Sequence, residues 1–346
     1  MCGIVGAVST RNIVPLLVQG LQRLEYRGYD SCGIVVHAAD GARLQRVRGV
    51  DRVAELADRC QQLGLQGQTG IAHTRWATHG APAVANAHPH VSYGPGKTAA
   101  DGSPPRVTLV HNGIIENHED LRAELIEQGY HLDSQTDTET IVHLIDHLYD
   151  GDLLAAVQAA VRRLHGSYSI AVLHAEQRDR VVGARQGSPL VLGIGRDGDE
   201  RFLSSDAIAM ASVTDRFIYL DEGDVVELQP QEHRILDVDG QPVERQLRII
   251  QAVAGAAELG PYRHFMQKET FEQPRAVADT LEDIDAITPA LFEAAGGALP
   301  ARGVFELFSR VSQVRILACG TSYYAGSVAR YWMEALAAIP CQVEIA

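Results

Sequence analysis

The sequence predicts an α+β chain of two domains, on three observations. Its 346 residues suggest about two domains of roughly 150 residues each, and 46% apolar residues suffice for packed cores. Up to about residue 240, short β-rich runs alternate with segments of helical periodicity. Beyond that point the chain turns helical and then reads as strand, turn and helix. We therefore assign a first domain to residues 1–240 and a linker with a second domain to residues 241–346.

The elements of the first domain follow from periodicity and turn residues. Apolar residues at helical spacing predict a helix over 13–26, and a second helix is predicted over 134–150, with Thr136 or Asp137 near its N-cap. The segment 93–106 is rich in Gly and Pro, which predicts a surface loop. The predicted strands are CGIVGAV, GIVVHA, GIAHTR, VTLVH, SYSIAVLHA, PLVLGIG, RFIYL and DVVELQ.

The second domain begins as an α/β pattern. From about Tyr262 the chain is predicted helical, and VRILA then predicts a buried strand, followed by a small-residue turn and a helix over SVARYWMEAL. The sequence ends at CQVEIA, within a second predicted strand. Because two strands cannot close the sheet of such a domain, we expect the second domain to be truncated.

Charge, hydropathy and cysteine content argue against several classes of function. The formal net charge is -14, from 44 acidic and 30 basic residues, which argues against binding to nucleic acid or to an anionic membrane. No apolar run reaches the roughly 20 residues of a membrane span, and the N-terminus lacks the pattern of a signal peptide. The five cysteines are odd in number and include no CxxC, so neither a disulfide framework nor a zinc site is indicated and a reducing cytoplasm fits best.

Cys2 is the first candidate catalytic residue. A cysteine in an apolar run is usually an inert core residue. Its position favours another role, because a small residue after the initiator Met is compatible with removal of that Met. Cys2 would then carry a free α-amino group with a pKa of about 8 beside its thiol, so one residue would supply nucleophile and base.

The dipeptide Asn112-Gly113 follows the strand predicted over VTLVH. Asn-Gly is a common turn dipeptide, and taken alone it predicts a turn. The alternative is an oxyanion hole, in which the Asn112 side-chain amide and the Gly113 backbone N–H would donate to a developing oxyanion.

Arg75 and Asp137 are candidate ligand-binding residues. Charged loops are usually just solvated, but Arg75 lies between a predicted strand and a glycine-terminated loop. An arginine there can bind a carboxylate with two hydrogen bonds. Asp137 would bind the ammonium group of the same ligand. Arg75 and Asp137 together would recognise a free amino acid such as glutamine.

Two further sets of residues are candidate binding sites. The spacings of His73, His79, His88 and His90 match no zinc pattern, so we predict no metal. Small polar residues between the VRILA strand and its helix favour a phosphate site over a plain turn, because backbone N–H groups and hydroxyls meet there. These residues are Cys319, Gly320, Thr321 and Ser322, with Cys319 in a structural role.

Several motifs together resemble one family of enzymes. MCGIVG, LEYRGYDS, GIAHTRWATHG, NAHPH, VHNGIIEN and TDTE resemble the glutaminase domain of the class II, N-terminal-nucleophile (Ntn) amidotransferases. RxGSPLV, SSD, YRHFMQKE and ILACGTSYYAG narrow the resemblance to the glutamine–fructose-6-phosphate aminotransferases (isomerising), over essentially the whole chain. The resemblance implies a four-layer αββα glutaminase domain, followed by the start of a flavodoxin-like sugar isomerase (SIS) domain.

The resemblance implies a role for each matching residue. Cys2 would be the nucleophile and its α-amine the base, through a water, while Asn112 and Gly113 would form the oxyanion hole. The loop containing Trp76 would close over glutamine. The glutamine-binding residues would be Arg27, Gly28, Arg75, Trp76, Thr78, His79 and Asp137. The sugar-phosphate loop would comprise Cys319, Gly320, Thr321 and Ser322.

The implied reaction has two stages and uses no metal or redox cofactor. Cys2 would release ammonia from L-glutamine, and the ammonia would pass to D-fructose 6-phosphate to give glucosamine 6-phosphate. A cytoplasmic enzyme is implied, homodimeric when full length. The sequence departs from the family in an extra stretch at 93–106 and in its early end. We therefore expect this chain to hydrolyse glutamine but not to make the amino sugar.

Two other interpretations stay open. A class II amidotransferase that feeds phosphoribosyl diphosphate or glutamate synthesis is disfavoured by the CGTS loop and YRHFMQKE. A non-catalytic sugar-phosphate-binding protein is disfavoured by the intact set Cys2, Arg75, Asn112, Gly113 and Asp137.

Overall fold

The structure is a computed structural model that describes residues 2–38, 43–77, 80–250, 260–282, 306 and 308–346. Two residues expected in the site, Thr78 and His79, lie outside these ranges. The chain divides into two compact units, Met1–Phe265 and Met266–Ala346, which are considered separately. Within the described ranges, no helix has both the length and the apolar character needed to cross a bilayer.

The described part of the first unit contains two antiparallel sheets and five α-helices. The strands are β1 (Gly3–Val8), β2 (Ser31–His37), β3 (Leu44–Gly49), β4 (Thr69–Arg75), β5 (His90–Ser92), β6 (Val107–Ile115), β7 (Gly166–His174), β8 (Gln177–Gln186), β9 (Val191–Ile194), β10 (Arg201–Ser204), β11 (Arg216–Tyr219), β12 (Val225–Leu228), β13 (His233–Leu236), β14 (Pro242–Val243) and β15 (Leu247–Ile249). The helices are α1 (Val14–Leu24), α2 (Val53–Gln62), α3 (His118–Glu127), α4 (Asp137–Leu148) and α5 (Leu153–Val161).

The first unit has four layers. One sheet has the order β15-β11-β9-β10-β1-β4-β2-β3 and the other β14-β13-β12-β8-β7-β6-β5. Apolar side chains such as Ile4 and Val110 fill the space between the sheets. A second cluster lies between the first sheet and α1 and α2, and a third between the other sheet and α3 to α5. The predicted αββα architecture is therefore confirmed.

The hydrophobic pattern explains why β1 is central. All six residues of β1 are buried, which is typical of a strand covered on both faces. It pairs antiparallel with β10 on one side and β4 on the other. Because β1 and β4 run in opposite directions, the start of β1 lies beside the end of β4. This pairing brings Cys2 next to Arg75.

Several local predictions can be compared with these elements. The helix predicted over 13–26 is α1, and Thr136 is the N-cap of α4, with its side chain accepting from the Glu139 N–H. The segment 93–106 joins β5 to β6 and is mostly exposed, as predicted.

The turn predicted at Asn112-Gly113 is wrong, because β6 continues through both residues and pairs with β7. Gly113 has a φ of +131°, and a Cβ there would lie 2.0 Å from the carbonyl oxygen of Ser167. Only glycine fits this backbone, so the residue serves a close strand approach and not a turn.

The described part of the second unit includes a parallel strand–helix–strand motif. Helix α6 (Phe265–Glu282) starts at the unit boundary, and β16 (Val314–Ala318) pairs in parallel with β17 (Cys341–Ile345). Between them lies α7 (Gly320–Trp332), followed by a π-helical turn over Met333–Ala337. The helix predicted over SVARYWMEAL thus begins earlier than expected, since Cys319 is its N-cap. Strands β14 and β15 lie beyond residue 240 yet still pair within the first unit, and the predicted domain boundary stays a prediction.

Candidate active site

Cys2 lies at one end of the sheet sandwich. Its Sγ accepts a hydrogen bond from the Trp76 N–H at 3.2 Å and can donate to the Trp76 carbonyl oxygen at 3.4 Å. Burial raises the pKa of the Cys2 thiol, and this effect outweighs the Trp76 hydrogen bond and the Arg75 charge, which act in the opposite direction. The neutral thiol is therefore favoured, and a base is needed before Cys2 can act as a nucleophile.

A narrow cleft surrounds Cys2 and collects residues from both sheets and from α4. Four residues expected from the sequence, Arg75, Trp76, Gly113 and Asp137, line it together with Cys2. The remaining lining residues are His88, His111, Thr136 and Thr138. Asn112 adjoins the cleft, where its Nδ2 donates to the Cys2 carbonyl oxygen at 3.4 Å.

Arg75 is held by Asp30, a residue that sequence reasoning did not single out. The Arg75 Nη1 donates to Asp30 Oδ1 at 3.2 Å and its Nη2 to the Gly80 carbonyl oxygen at 3.0 Å. The other Asp30 oxygen accepts from the Ala77 N–H. One carboxylate therefore fixes both the guanidinium and the start of the loop after β4. The only sequence signal for this role is its place in LEYRGYDS.

Asp137 is the first residue of α4 and is buried. Its Oδ2 accepts from the Ile115 N–H at 2.9 Å, and its Oδ1 lies 3.5 Å from the Thr138 hydroxyl, which donates to it. The positive end of the helix dipole also favours a carboxylate here. Asp137 and Arg75 thus both line the cleft, each held by hydrogen bonds of its own.

Arg27 and Gly28 do not line the cleft, and Gly28 adjoins it through Trp76. The Arg27 guanidinium is paired with Asp206. Gly28 has a φ of +74°, and a Cβ there would lie 2.6 Å from the Trp76 ring. Glycine therefore allows the half-exposed Trp76 to pack directly on this backbone.

The histidines near the site form a buried, hydrogen-bonded cluster. The rings of His73 and His88 lie 4.2 Å apart, and those of His88 and His90 lie 4.9 Å apart, centroid to centroid. Thr138 Oγ1 contacts His88 Nε2 and His111 Nδ1, each at 3.0 Å. Burial holds the pKa of His88 and of His90 well below the ordinary value. No group of three or more metal-ligating side chains is assembled among the described residues.

The predicted sugar-phosphate loop lies in the second unit, at the carboxyl end of β16. Cys319 is exposed, and its Sγ donates to the Ala346 carbonyl oxygen at 3.1 Å. Gly320, Thr321 and Ser322 form the first turn of α7 and are exposed. Ligands of open α/β sheets commonly bind at such a position.

Known proteins resemble this chain in sequence and in fold. Residues 100–212 match the family model of the glutamine amidotransferase domain. This chain carries a glutamine amidotransferase domain. Its whole length is 58% identical to the glutamine–fructose-6-phosphate aminotransferase (isomerizing) of Bordetella pertussis, strain Tohama I, and 53% identical to that of Pseudomonas aeruginosa, strain PAO1. The chain covers 54% of each, so it spans about half the length of these curated relatives.

Two solved structures share the fold. The glutamine phosphoribosylpyrophosphate amidotransferase of B. subtilis, complexed with ADP and GMP, has a TM-score of 0.59 at 18% identity and covers 99% of this chain and 65% of its own. The allosteric regulatory enzyme of purine biosynthesis has a TM-score of 0.57 at 22% identity, over 68% of this chain and 49% of its own. These likenesses support the four-layer fold of the first unit.

We expect the alkylation rate of Cys2 by iodoacetamide to rise with pH through a midpoint above that of a cysteine in an unstructured peptide. The physical reason is burial, which disfavours the thiolate. Peptide mass spectrometry of samples quenched between about pH 6 and pH 10 measures the rate at this one residue. The urea-unfolded chain is the control and should return to the peptide value. A midpoint in the folded chain at or below that value would contradict the burial argument.

Proposed function

We propose that this chain hydrolyses L-glutamine at Cys2 once Met1 has been removed. The thiol attacks the side-chain amide carbon, ammonia leaves, and a γ-glutamyl thioester forms. Water then cleaves the thioester to give glutamate and restores the thiol. The observation that carries the proposal is the convergence of Cys2, Arg75, Gly113 and Asp137 on one cleft, with Asn112 beside it.

The base in this proposal is the α-amine of Cys2. The raised pKa of the buried thiol means that a proton must be taken from sulfur before attack. A free α-amine has a pKa of about 8, so roughly a tenth of it is unprotonated and able to accept the proton at pH 7, and this fraction rises with pH. Nucleophile and base then belong to one residue, as in enzymes with an N-terminal threonine.

We assign the stabilisation of the developing oxyanion to Asn112 and Gly113. Asn112 Nδ2 lies 3.4 Å from the Cys2 carbonyl oxygen, so an amide donor lies beside the main chain of the nucleophilic residue. Gly113 follows it in a backbone that no other residue fits. Donors held in place in a water-poor cleft stabilise a tetrahedral intermediate without reorganising.

We assign the binding of the two charged groups of glutamine to two charged side chains that are held in place. Arg75, held by Asp30, would bind the α-carboxylate, and Asp137, held by the Ile115 N–H, would bind the α-ammonium. The loop residues Trp76, Thr78 and His79 would cover the substrate. Arg27 and Gly28 would support that loop from beneath, because Gly28 contacts the Trp76 ring.

We further propose that a protein of its relatives' length that contains this chain transfers the ammonia to D-fructose 6-phosphate and makes glucosamine 6-phosphate. Identities of 58% and 53% to aminotransferases of that name support this substrate. The sugar phosphate would bind at Cys319–Ser322, at the N-terminus of α7. A cytoplasmic homodimer is proposed for the full-length enzyme, with residues 1–240 as the glutaminase domain and 241–346 as linker and SIS segment.

Replacement of Cys2 by alanine should abolish glutamate release from glutamine, by at least about a thousandfold, because covalent catalysis is lost. The assay measures glutamate and ammonia from the purified chain. Cys60→Ala is the matched control, since Cys60 is a buried cysteine on α2 and lies outside the cleft. Full activity in the Cys2 variant would refute the proposed mechanism.

Arg75→Gln should raise the KM for glutamine by about 10- to 100-fold, because a charge-assisted hydrogen bond contributes about 1.5–3 kcal/mol. The same substitution also removes a hydrogen-bond partner of Asp30, which could disturb the site in itself. A second substrate separates that effect from the loss of carboxylate binding. With 4-aminobutanamide, which lacks the α-carboxylate, KM should be similar in the variant and the parent. An equal penalty on both substrates would show that Arg75 does not bind the carboxylate.

A further inference from the structure

His73 joins the two sheets, opposite Ile4 on β1 and two residues before Arg75. It lies in β4 of the first sheet and is fully buried. Its Nε2 lies 2.9 Å from Asn112 Oδ1 and 3.0 Å from the His111 carbonyl oxygen, both on β6 of the second sheet. A single ring nitrogen therefore connects the strand that ends at Arg75 with the strand that carries Asn112.

These contacts determine both the tautomer of His73 and the orientation of the Asn112 amide. The His111 carbonyl oxygen can only accept, so His73 Nε2 must carry the proton and donate it, and the Asn112 atom that faces it must be the amide oxygen. Asn112 then accepts through Oδ1, which leaves its Nδ2 directed at Cys2. The reversed amide would set its NH₂ group against the His73 N–H and turn Oδ1 towards Cys2.

We propose that His73 is a positioning residue for glutamine hydrolysis, which fixes the Asn112 amide with its N–H groups towards Cys2. This inference rests on the proposed function, because it assigns a support to the same oxyanion hole. The His73 side chain acts through Asn112 and does not itself contact the glutamine cleft.

The environment of His73 keeps it a neutral donor. Burial lowers the pKa of His73 to about 3, and the neighbouring Arg75 and His111 also disfavour its charged form, against the hydrogen bond to Asn112. The His88 ring packs against it at 4.2 Å. His73 thus keeps the same neutral form, with its proton on Nε2, at neutral pH.

Loss of this donor has a defined chemical consequence. Asn112 Oδ1 and the His111 carbonyl oxygen would both lose the partner that orients them. The amide could then turn over and present an acceptor where negative charge develops. Removal of one oxyanion donor typically lowers kcat by about 10²–10³-fold, so partial misorientation should lower it by about 10- to 100-fold.

Two substitutions that place an amide at different depths separate positioning from folding. In His73→Gln the side-chain NH₂ can reach the place of Nε2, whereas in His73→Asn it ends near the place of Nδ1. We expect the Gln variant to keep kcat within about threefold of the parent. The Asn variant should lose about 10- to 100-fold in kcat, with KM within about threefold, because Asn112 acts on the transition state.

A double-mutant cycle with Asn112→Ala completes the test. Once Asn112 is absent, His73→Asn should cost little further kcat, since the group it positions is gone. Equal losses in the Gln and Asn variants, or an undiminished His73 effect in the Asn112→Ala background, would overturn the inference. An inactive parent chain with no release of glutamate would instead refute the proposed function itself.

Discussion

The antiparallel pairing of β1 with β4 is the constraint on which the site depends. Because Gly3 lies opposite Thr74, the residue before β1 meets the residues that follow β4. The Trp76 N–H therefore reaches the Cys2 sulfur, and Arg75 enters the same cleft. A register shift of one residue would turn the side chains of β1 to the opposite faces and separate these groups. The buried apolar residues of β1 make such a shift costly in free energy. The packing that fixes the register of β1 therefore also fixes the geometry of the site.

The second sheet completes the site through buried polar contacts. His73 reaches from β4 to β6, and Thr138 at the start of α4 contacts both His88 and His111. Buried polar groups are costly unless they are hydrogen-bonded, and bonded networks of this kind hold side chains in one orientation. The cleft therefore has a rigid base beneath Cys2, formed by groups from both sheets. Such preorganisation is what stabilisation of an oxyanion requires.

Much of this arrangement was predictable from sequence, and the exceptions have physical causes. Cys2, Arg75 and Asp137 were identified because their residue types and local motifs carry the chemistry. The turn expected at Asn112-Gly113 was wrong, because pairing with β7 overrides the local turn preference of the dipeptide. The contacts of Asp30 with Arg75 and of His73 with Asn112 join residues 45 and 39 positions apart, across strands or sheets. Local pattern does not encode such partners, and histidine spacing gave no indication of which ring nitrogen donates.

The central claim is that Cys2 becomes an N-terminal nucleophile, and intact mass spectrometry tests it most directly. The purified chain is weighed before and after incubation with 6-diazo-5-oxo-L-norleucine, a glutamine analogue with an electrophilic carbon in place of the amide. We expect a mass that lacks Met1 and a single adduct, mapped to Cys2 and absent from Cys2→Ala. An active chain that retains Met1, or an adduct on another residue, would contradict it.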